Sequence, residues 1–506
     1  MVSRTRTAPL ATPAPNLAAS PFLQPADGAA PGISASAELV ETPDQGTFSK
    51  LAYWSLLAFV FIFTSRLSEF LPPSLHLPLV FATLTASLTF IGIVPRRSVV
   101  NKTGNFFMLY ALWFVICIPF SEWKGGSFQV LTQDFIKSFI LFISVAYIVN
   151  STARLRGVLL SISIGAVVAM SIALYLNYRI NGRLGMPGGE LGNPNDLGQY
   201  MMLGMCFLPT LAHQGNKKFF RGITYLMMLP FLYTIFATGS RGVLVSLILI
   251  VGVVFLRSNI TQKLIISVLF VVLGVGLFGI SDTARVRLAT LFEDSSRAPT
   301  DSVEQVANTS YFARLRTLKQ SISLTLQKPL FGVGPGNFES SSAARASGGE
   351  RAMWLETHNS YTEVSSETGI IGLLFFGGGI ITGLMSLIKT QKLPQLKNTS
   401  FREVSLFLLV GLGGFLLTMM FSAVAYKPML WLLLGLCTAN SIMLKETIQR
   451  LSSAQLRFQP ATSTKAGAFS RGARLSQTMA PKRPAPATRV TLSGRIRNVR
   501  TPRNIF

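Results

Sequence analysis

Apolar and polar positions in this chain fall in long blocks rather than short periods. Twelve apolar runs approach the ~20 residues a helix needs to cross a hydrocarbon layer. They lie near 49–65, 74–94, 104–120, 133–149, 157–178, 197–212, 222–238, 242–256, 264–281, 368–388, 404–425 and 428–444. In lipid a segment must pair its own backbone groups, so runs of this length predict helices. The first 45 or so residues are rich in Ala, Pro, Thr and Ser and have no periodicity, which predicts a disordered tail. They lack the basic start and apolar core of a signal peptide. After Arg450 the chain turns polar again, with many arginines. The pattern divides the chain into a tail (1–47), membrane helices 1–9 (48–281), a large loop (282–366), membrane helices 10–12 (367–444) and a basic tail (445–506). The expected fold class is an all-α polytopic membrane protein of about twelve transmembrane helices with one large helical loop.

Two polar segments interrupt the membrane pattern. Within 282–366, Phe312, Leu315, Leu318, Ile322 and Leu326 recur at spacings of three and four, which predicts an amphipathic helix. Gly332, Gly334 and Gly336 follow in a turn-like stretch. The segment near 179–196 carries Arg183 and the turn-rich Gly192-Asn193-Pro194-Asn195-Asp196. Long loops on one face are functional or disordered, and a helical pattern favours function.

Charge then orients the helices. The chain has 46 Lys and Arg against 21 Asp and Glu, a net charge of +25, yet only 13% of its residues are charged and 49% are hydrophobic. Sparse charge in an apolar chain excludes an ordinary soluble enzyme. The excess is segregated. The C-terminal tail from Lys445 carries +12 and five basic loops carry +13. These loops hold Arg96, Arg97 and Lys102; Arg154 and Arg156; Lys217, Lys218 and Arg221; Arg257 and Lys263; and Lys389, Lys392, Lys397 and Arg402. All five fall on the side of both tails, so the positive-inside rule makes that side cytoplasmic. What resembles a nucleic-acid signature is a topology signal, and the basic tail is placed to touch anionic lipid.

Several chemistries lack their residues. Cys117, Cys206 and Cys437 sit in apolar runs without metal-ligand spacing, which suits small buried apolar residues. There is no Asp-x-Asp pair, HExxH or GxSxG, which disfavours a metal-dependent nucleotide-sugar transferase. The Gly332–Gly336 stretch is not a P-loop, since no Lys-Ser/Thr follows and no strand precedes it.

A few polar residues on the outer side could carry chemistry. Arg241, in Gly239-Ser240-Arg241-Gly242, opposes the positive-inside trend. It either snorkels to headgroups or holds an anion at the membrane face, such as a lipid-linked phosphate. His358, in Thr357-His358-Asn359-Ser360-Tyr361, lies just before or within the first turn of a helix. A helix N-terminus disfavours the imidazolium and leaves a ring able to accept a proton; the alternative is a capping or packed histidine. His76 is expected in a helix and His213 on the cytoplasmic side. Glu367 lies two to three turns after His358. Arg314, Arg316 and Lys319 form either a solvated helix face or a phosphate contact.

Four segments, in order, resemble the O-antigen ligase and O-antigen polymerase superfamily over roughly 50–445. They are Gly192–Asp196; Gly239–Gly242; Arg314 followed by Lys328-Pro329-Leu330-Phe331-Gly332-Val333-Gly334-Pro335-Gly336-Asn337-Phe338; and His358–Tyr361 with Glu367-Thr368-Gly369-Ile370-Ile371-Gly372. The resemblance implies a metal-independent, inverting, GT-C-like transferase in the bacterial inner membrane, with cytoplasmic termini and a periplasmic active site. It implies transfer of a glycan from a polyprenyl diphosphate carrier to a saccharide or lipid A-core acceptor, or in some members a protein. No cofactor, metal or nucleic acid is expected. On the same basis His358 is the general base, Arg241 binds the diphosphate, and Arg314 or Arg316 assists. Arg183, Asn195, Asn359 and Glu367 support the site. Ligase and polymerase remain open. The rival from another class is a transporter or flippase for lipid-linked oligosaccharide. Against it stands the scarcity of charge within the helices, where Asp134 and Lys137 are the nearest candidates. A non-enzymatic scaffold leaves Arg241 and His358 unexplained.

Overall fold

The computed structural model describes residues 46–93, 101–213, 217–257, 302–345 and 355–457, with isolated positions between 259 and 268. The tails before 46 and after 457, Arg96 and Arg97, most of the run 264–281, and the loop stretches 282–301 and 346–354 lie outside the described residues.

Eleven of the twelve apolar runs coincide with helices. In chain order the α-helices, including three outside those runs (α4, α10 and α11), begin with α1 (Thr47–Ser65), α2 (Leu77–Leu88), α3 (Lys102–Cys117), α4 (Lys124–Val130), α5 (Ile136–Ile148), α6 (Thr152–Leu176), α7 (Pro194–Phe207), α8 (Lys217–Thr238) and α9 (Arg241–Arg257). Then follow α10 (Ser302–Gln327), α11 (Phe338–Ala344), α12 (Ser360–Lys392), α13 (Ser400–Thr418) and α14 (Pro428–Arg457). A π-helical turn, Leu131–Phe135, joins α4 to α5. Among the described residues eight helical spans are long and apolar enough to cross a membrane, and Leu77–Gly92 and Arg241–Leu256 are shorter apolar helices. The chain is a multi-pass membrane protein by these lengths and compositions. The last helix continues to Arg457, past the end of its apolar run. A two-residue hairpin, β1 (Arg179–Ile180) with β2 (Arg183–Leu184), is the one sheet among the described residues. The chain divides into a unit through Ser453 and a second from Ala454, of which only the end of α14 is described.

Local chemistry sets several helix starts. The side chains of Asn101, Ser151 and Thr399 accept hydrogen bonds from the amides of Gly104, Arg154 and Arg402, pairing donors that a helix cannot pair itself. His76 is not helical. It is exposed, in the left-handed region just before α2, where Pro78 occupies the first turn. The core centres on Trp431 of α14, fully buried among Phe107, Tyr110, Phe135 and Phe142 at ring separations of 5.4–6.0 Å. Cys117, Cys206 and Cys437 are all buried and unbridged. Large apolar side chains also cover outward surfaces, among them Leu79, Ile91 and Leu374, as helices bathed in lipid require.

Loops that the charge pattern assigns to one face are bonded to one another. Arg183 Nε donates to the Thr238 carbonyl at 2.7 Å, Thr317 Oγ1 to the Thr357 carbonyl at 3.2 Å, and Lys427 Nζ to Asp196 at 3.2 Å. Ser360 Oγ donates to the Ser422 carbonyl at 2.7 Å. These segments are separated by up to 231 residues in sequence, and they meet at one end of the helices.

Candidate functional site

The site is built around an interlock between the glycine-rich turn and a break in α12. At Gly369 the backbone adopts φ 72° and ψ −177°, a conformation essentially restricted to glycine. The break frees groups on both sides of it. The Val333 and Gly334 amides donate to the Ser366 and Glu367 carbonyls at 2.8 and 3.1 Å, and the Ile370 amide donates to Pro329 O at 2.8 Å. Trp113 Nε1 donates to the freed Thr368 carbonyl at 2.9 Å. A side chain at Gly332 would meet the Glu367 carbonyl carbon at 2.4 Å, so the strands of the interlock touch backbone to backbone.

Glu367 closes the interlock. It is 4% exposed, and its carboxylate accepts from the Gly336 amide (2.7 Å), the Phe338 amide (3.2 Å) and the Tyr426 hydroxyl (2.6 Å). The carboxylate thereby fixes the turn. Ser127 Oγ donates to Pro335 O at 2.8 Å and Asn337 Nδ2 donates to Trp123 O at 3.1 Å, which seats the turn on the start of α4. Beside it Glu122 takes Arg345 and Lys328, and these hydrogen bonds, Arg345 first, hold its carboxyl down at about 2.

His358 stands one residue before the cap of α12. The cap is Asn359, whose Oδ1 accepts from the Tyr361 and Thr362 amides at 3.0 and 3.2 Å. His358 itself has φ 52°, a strained conformation for a residue of its kind and one that concentrates at functional sites. Burial, then the Arg314 guanidinium, hold its pKa below the ordinary 6.5, and Asp196 pulls the other way. The imidazole is therefore neutral at neutral pH and lies within the electrostatic reach of one cation and one anion.

The arginines of α10 separate. Arg314 is half-buried, and Arg316 is exposed. The face of α10 that packs mixes small polar residues with one leucine: Thr317 and Ser321 are fully buried, Leu324 is 3% exposed against Val333 and Phe338, and Thr325 shares a 2.9 Å hydrogen bond with Ser365. Phe312, Ile322 and Leu326 of the apolar stripe are 54%, 46% and 71% exposed. The spacing identifies the helix correctly but does not say which face is inward.

A small cleft gathers Asn195, Gln199, Ser240, Gly242, Arg314 and Ser422. Arg241 opens α9 between two of these, after Gly239 turns the chain with φ 56°. Arg183 Nη2 donates to Asn195 Oδ1 at 2.6 Å, and its Nε ties the hairpin to Thr238, three residues before Arg241. The structure thus brings together Arg183, Asn195, Arg314 and the segment bearing Arg241, with His358 beside Arg314. Arg316 lies apart on the exposed face of α10.

Thr357 also lines a cavity of about 470 Å³. Its walls include Asp134, Lys137, Glu339, Thr357, Tyr426 and Lys427, and its size falls within the ~300–1,000 Å³ range of ligand pockets. Nothing in the sequence marks Glu363 or Tyr426, or pairs Asp196 of the Gly192–Asp196 segment with Lys427. The one signal for Lys427 is its place in the short break between two apolar runs. Among the described residues no group of three or more His, Cys, Asp or Glu is placed to hold a metal ion.

Residues 226–377 match the family model described as O-antigen ligase. The matched segment is similar to the O-antigen ligase family. A search against curated proteins gave no match. The matched segment takes in Arg241, α10, the glycine-rich turn, His358 and the Gly369 break. Arg183, Asn195, Asp196 and Lys427 reach the same site from outside it. At family level the activity is of the glycosyltransferase type.

Proposed function

We propose that this protein is a glycosyltransferase of the bacterial inner membrane that moves a glycan from a polyprenyl diphosphate carrier to an acceptor hydroxyl. About twelve spans would place both termini in the cytoplasm and the site on the periplasmic face. The observation that carries the reading is a left-handed His358 just before α12, within the electrostatic reach of Arg314, which itself shares a cleft with the Arg241 segment. His358 would take the proton from the acceptor hydroxyl as that oxygen attacks the anomeric carbon and the bond to the diphosphate breaks. A polyprenyl diphosphate leaves readily, so no general acid is needed. Arg241 and Arg314 would neutralise the departing charge, a preorganised electrostatic contribution. Partial burial and proximity to His358 favour Arg314 over Arg316 for this role. Arg183 would position Asn195 and the Thr238–Arg241 turn.

The direct test supplies the purified protein in liposomes with a carrier-linked glycan and a saccharide acceptor. Appearance of the transferred glycan supports the reading. Vectorial movement of the carrier-linked glycan without transfer would replace it with the flippase. Gene deletion then separates the two transferases: carrier-linked polymer accumulating marks a ligase, and a single repeat unit on the acceptor marks a polymerase.

Arg241→Lys is expected to slow transfer about 10- to 100-fold, since the forked contact to a diphosphate is lost while the charge remains. Unchanged transfer in that variant would leave Arg241 a snorkelling residue.

The pH profile is expected to carry the sign of His358. The base works when neutral, so activity falls as pH drops through its folded pKa. That pKa is held below 6.5 by burial and Arg314, so the acid limb should lie below 6.5. Arg314→Gln should move the limb upward and Asp196→Asn downward, whatever either does to the maximal rate. A limb that stays put in both variants would take His358 out of the titration.

A further inference from the structure

Among the described residues, α10 leaves an apolar face uncovered. Ile322 and Leu326 stand one turn apart on the same face of the helix and are 46% and 71% exposed; Leu330, in the turn that follows, is 57% exposed. The packed side of the helix carries Thr317, Ser321 and Leu324 instead. Arg316 and Lys319, both exposed, precede the stripe by one to two turns. Single exposed apolar residues need no explanation, but a contiguous patch rimmed by polar ones marks a contact surface.

This patch runs into a surface that faces lipid. The Ile370 amide donates to Pro329 O at 2.8 Å, which sets Leu330 against α12 just past its break. There Ile370 and Leu374, one turn apart, are 42% and 64% exposed, within a span, Ser360–Lys392, long and apolar enough to cross a membrane. On the other flank Phe331 stacks on Phe120 at 4.1 Å and on Trp113 at 5.3 Å, both in the span Lys102–Phe120. Phe120 and Trp123, at the end of that span, are 56% and 52% exposed, and tryptophans at such ends mark the lipid–water boundary.

We propose that this face of α10 docks on the bilayer surface, with Ile322, Leu326 and Leu330 in the upper acyl region and Arg316 and Lys319 at the phosphates of anionic lipids. Interfacial helices bind in this way, through buried apolar area plus attraction of basic residues to anionic headgroups. Long basic side chains run along the apolar stripe and keep their charged ends in the phosphate layer. A second copy of the chain fits less well, since whatever covers Leu330 in place of lipid must also sit on the lipid-facing side of α12. The proposal does not depend on the transferase reading. It bears on the same site, because α10 carries Arg314, and its Thr317 hydroxyl donates to the Thr357 carbonyl at 3.2 Å, one residue before His358. The bilayer steadies the helix that holds this loop.

The test places one nitroxide on the full-length protein in nanodiscs, at Leu326→Cys or at Gln327→Cys. Gln327 is exposed and lies about 100° round the helix from Leu326. Electron paramagnetic resonance reads collisions with oxygen, which concentrates in lipid, against those with a water-soluble nickel chelate. In phosphatidylcholine–phosphatidylglycerol bilayers with no carrier present, the Leu326 label should favour oxygen several-fold and the Gln327 label should favour the chelate. The double variant Arg316→Gln, Lys319→Gln should move the Leu326 label toward the chelate, and so should removal of phosphatidylglycerol. Exposed sites tolerate such changes, and an unmoved thermal midpoint checks the fold. Equal chelate access at both positions overturns the proposal. A Leu326 label shielded from both reagents overturns it too, since protein then covers the face; spin–spin coupling between labels would identify a second copy. Oxygen preference that appears only after a polyprenyl diphosphate is added would give the face to the carrier tail instead. Indifference to lipid charge overturns the headgroup contact of Arg316 and Lys319.

Discussion

His358→Ala is expected to lower glycan transfer by about 10²–10⁴-fold, the contribution of a positioned base, or roughly 3–5 kcal/mol of barrier. The loss should fall on kcat rather than KM, because the ring acts on the proton in flight. The fold should survive. The loop is held by its neighbours: Asn359 caps α12, the Ser360 amide donates to Met419 O at 2.9 Å, and Tyr361 Oη donates to Leu416 O at 2.9 Å. His358→Asn provides a second variant that tolerates the left-handed backbone better than alanine, and it should be as inactive. Steady-state kinetics on membranes with matched protein levels decide the matter. Either variant retaining full transfer would remove His358 from the chemistry.

Gly369→Ala is expected to destabilise the protein by roughly 3 kcal/mol or more, from backbone strain plus overlap. The added carbon would stand 2.0 Å from the Leu330 carbonyl oxygen and 2.4 Å from its carbon, which are backbone atoms without freedom to swing away. Relief requires parting the turn from α12, which breaks the 2.8 Å bond from Ile370 to Pro329 and its partners. Thermal unfolding in detergent should show a lower midpoint, and transfer should fall with it. The control lies on the same helix. Gly377 has nothing within 4 Å of an added carbon, and alanine there should be neutral or stabilising by about 0.5–1 kcal/mol. If both variants melt alike, the interlock is not what fixes the turn.

The membrane helices are legible because each is written locally, as an uninterrupted apolar run between polar breaks. The sharing of one end by 179–196, 239–241, 302–345 and 355–360 follows from charge segregation, a property of the whole chain. The interlock is not legible in that way. Nothing around Glu367 announces that its carboxylate will bind amides of a turn 29–31 residues earlier. The inward face of α10 escapes for a different reason. Between apolar surroundings and a polar groove, burial does not follow hydrophobicity alone, so Thr317 and Ser321 pack beside Leu324 while Ile322 and Leu326 stay outside. The Asp196–Lys427 pair joins positions 231 apart and has no pattern to read. What the sequence does mark is residue type at unexpected places, an arginine against the positive-inside trend and a histidine at a helix start.

The burial of all three cysteines has a practical use. Cys117, Cys206 and Cys437 are 0%, 9% and 1% exposed, so an impermeant thiol reagent applied to intact cells should label the native chain poorly. A single cysteine placed at exposed Lys319 or Glu356 can then report sidedness in the otherwise native protein, without first stripping three residues from the helices. The background of that mapping is already quiet.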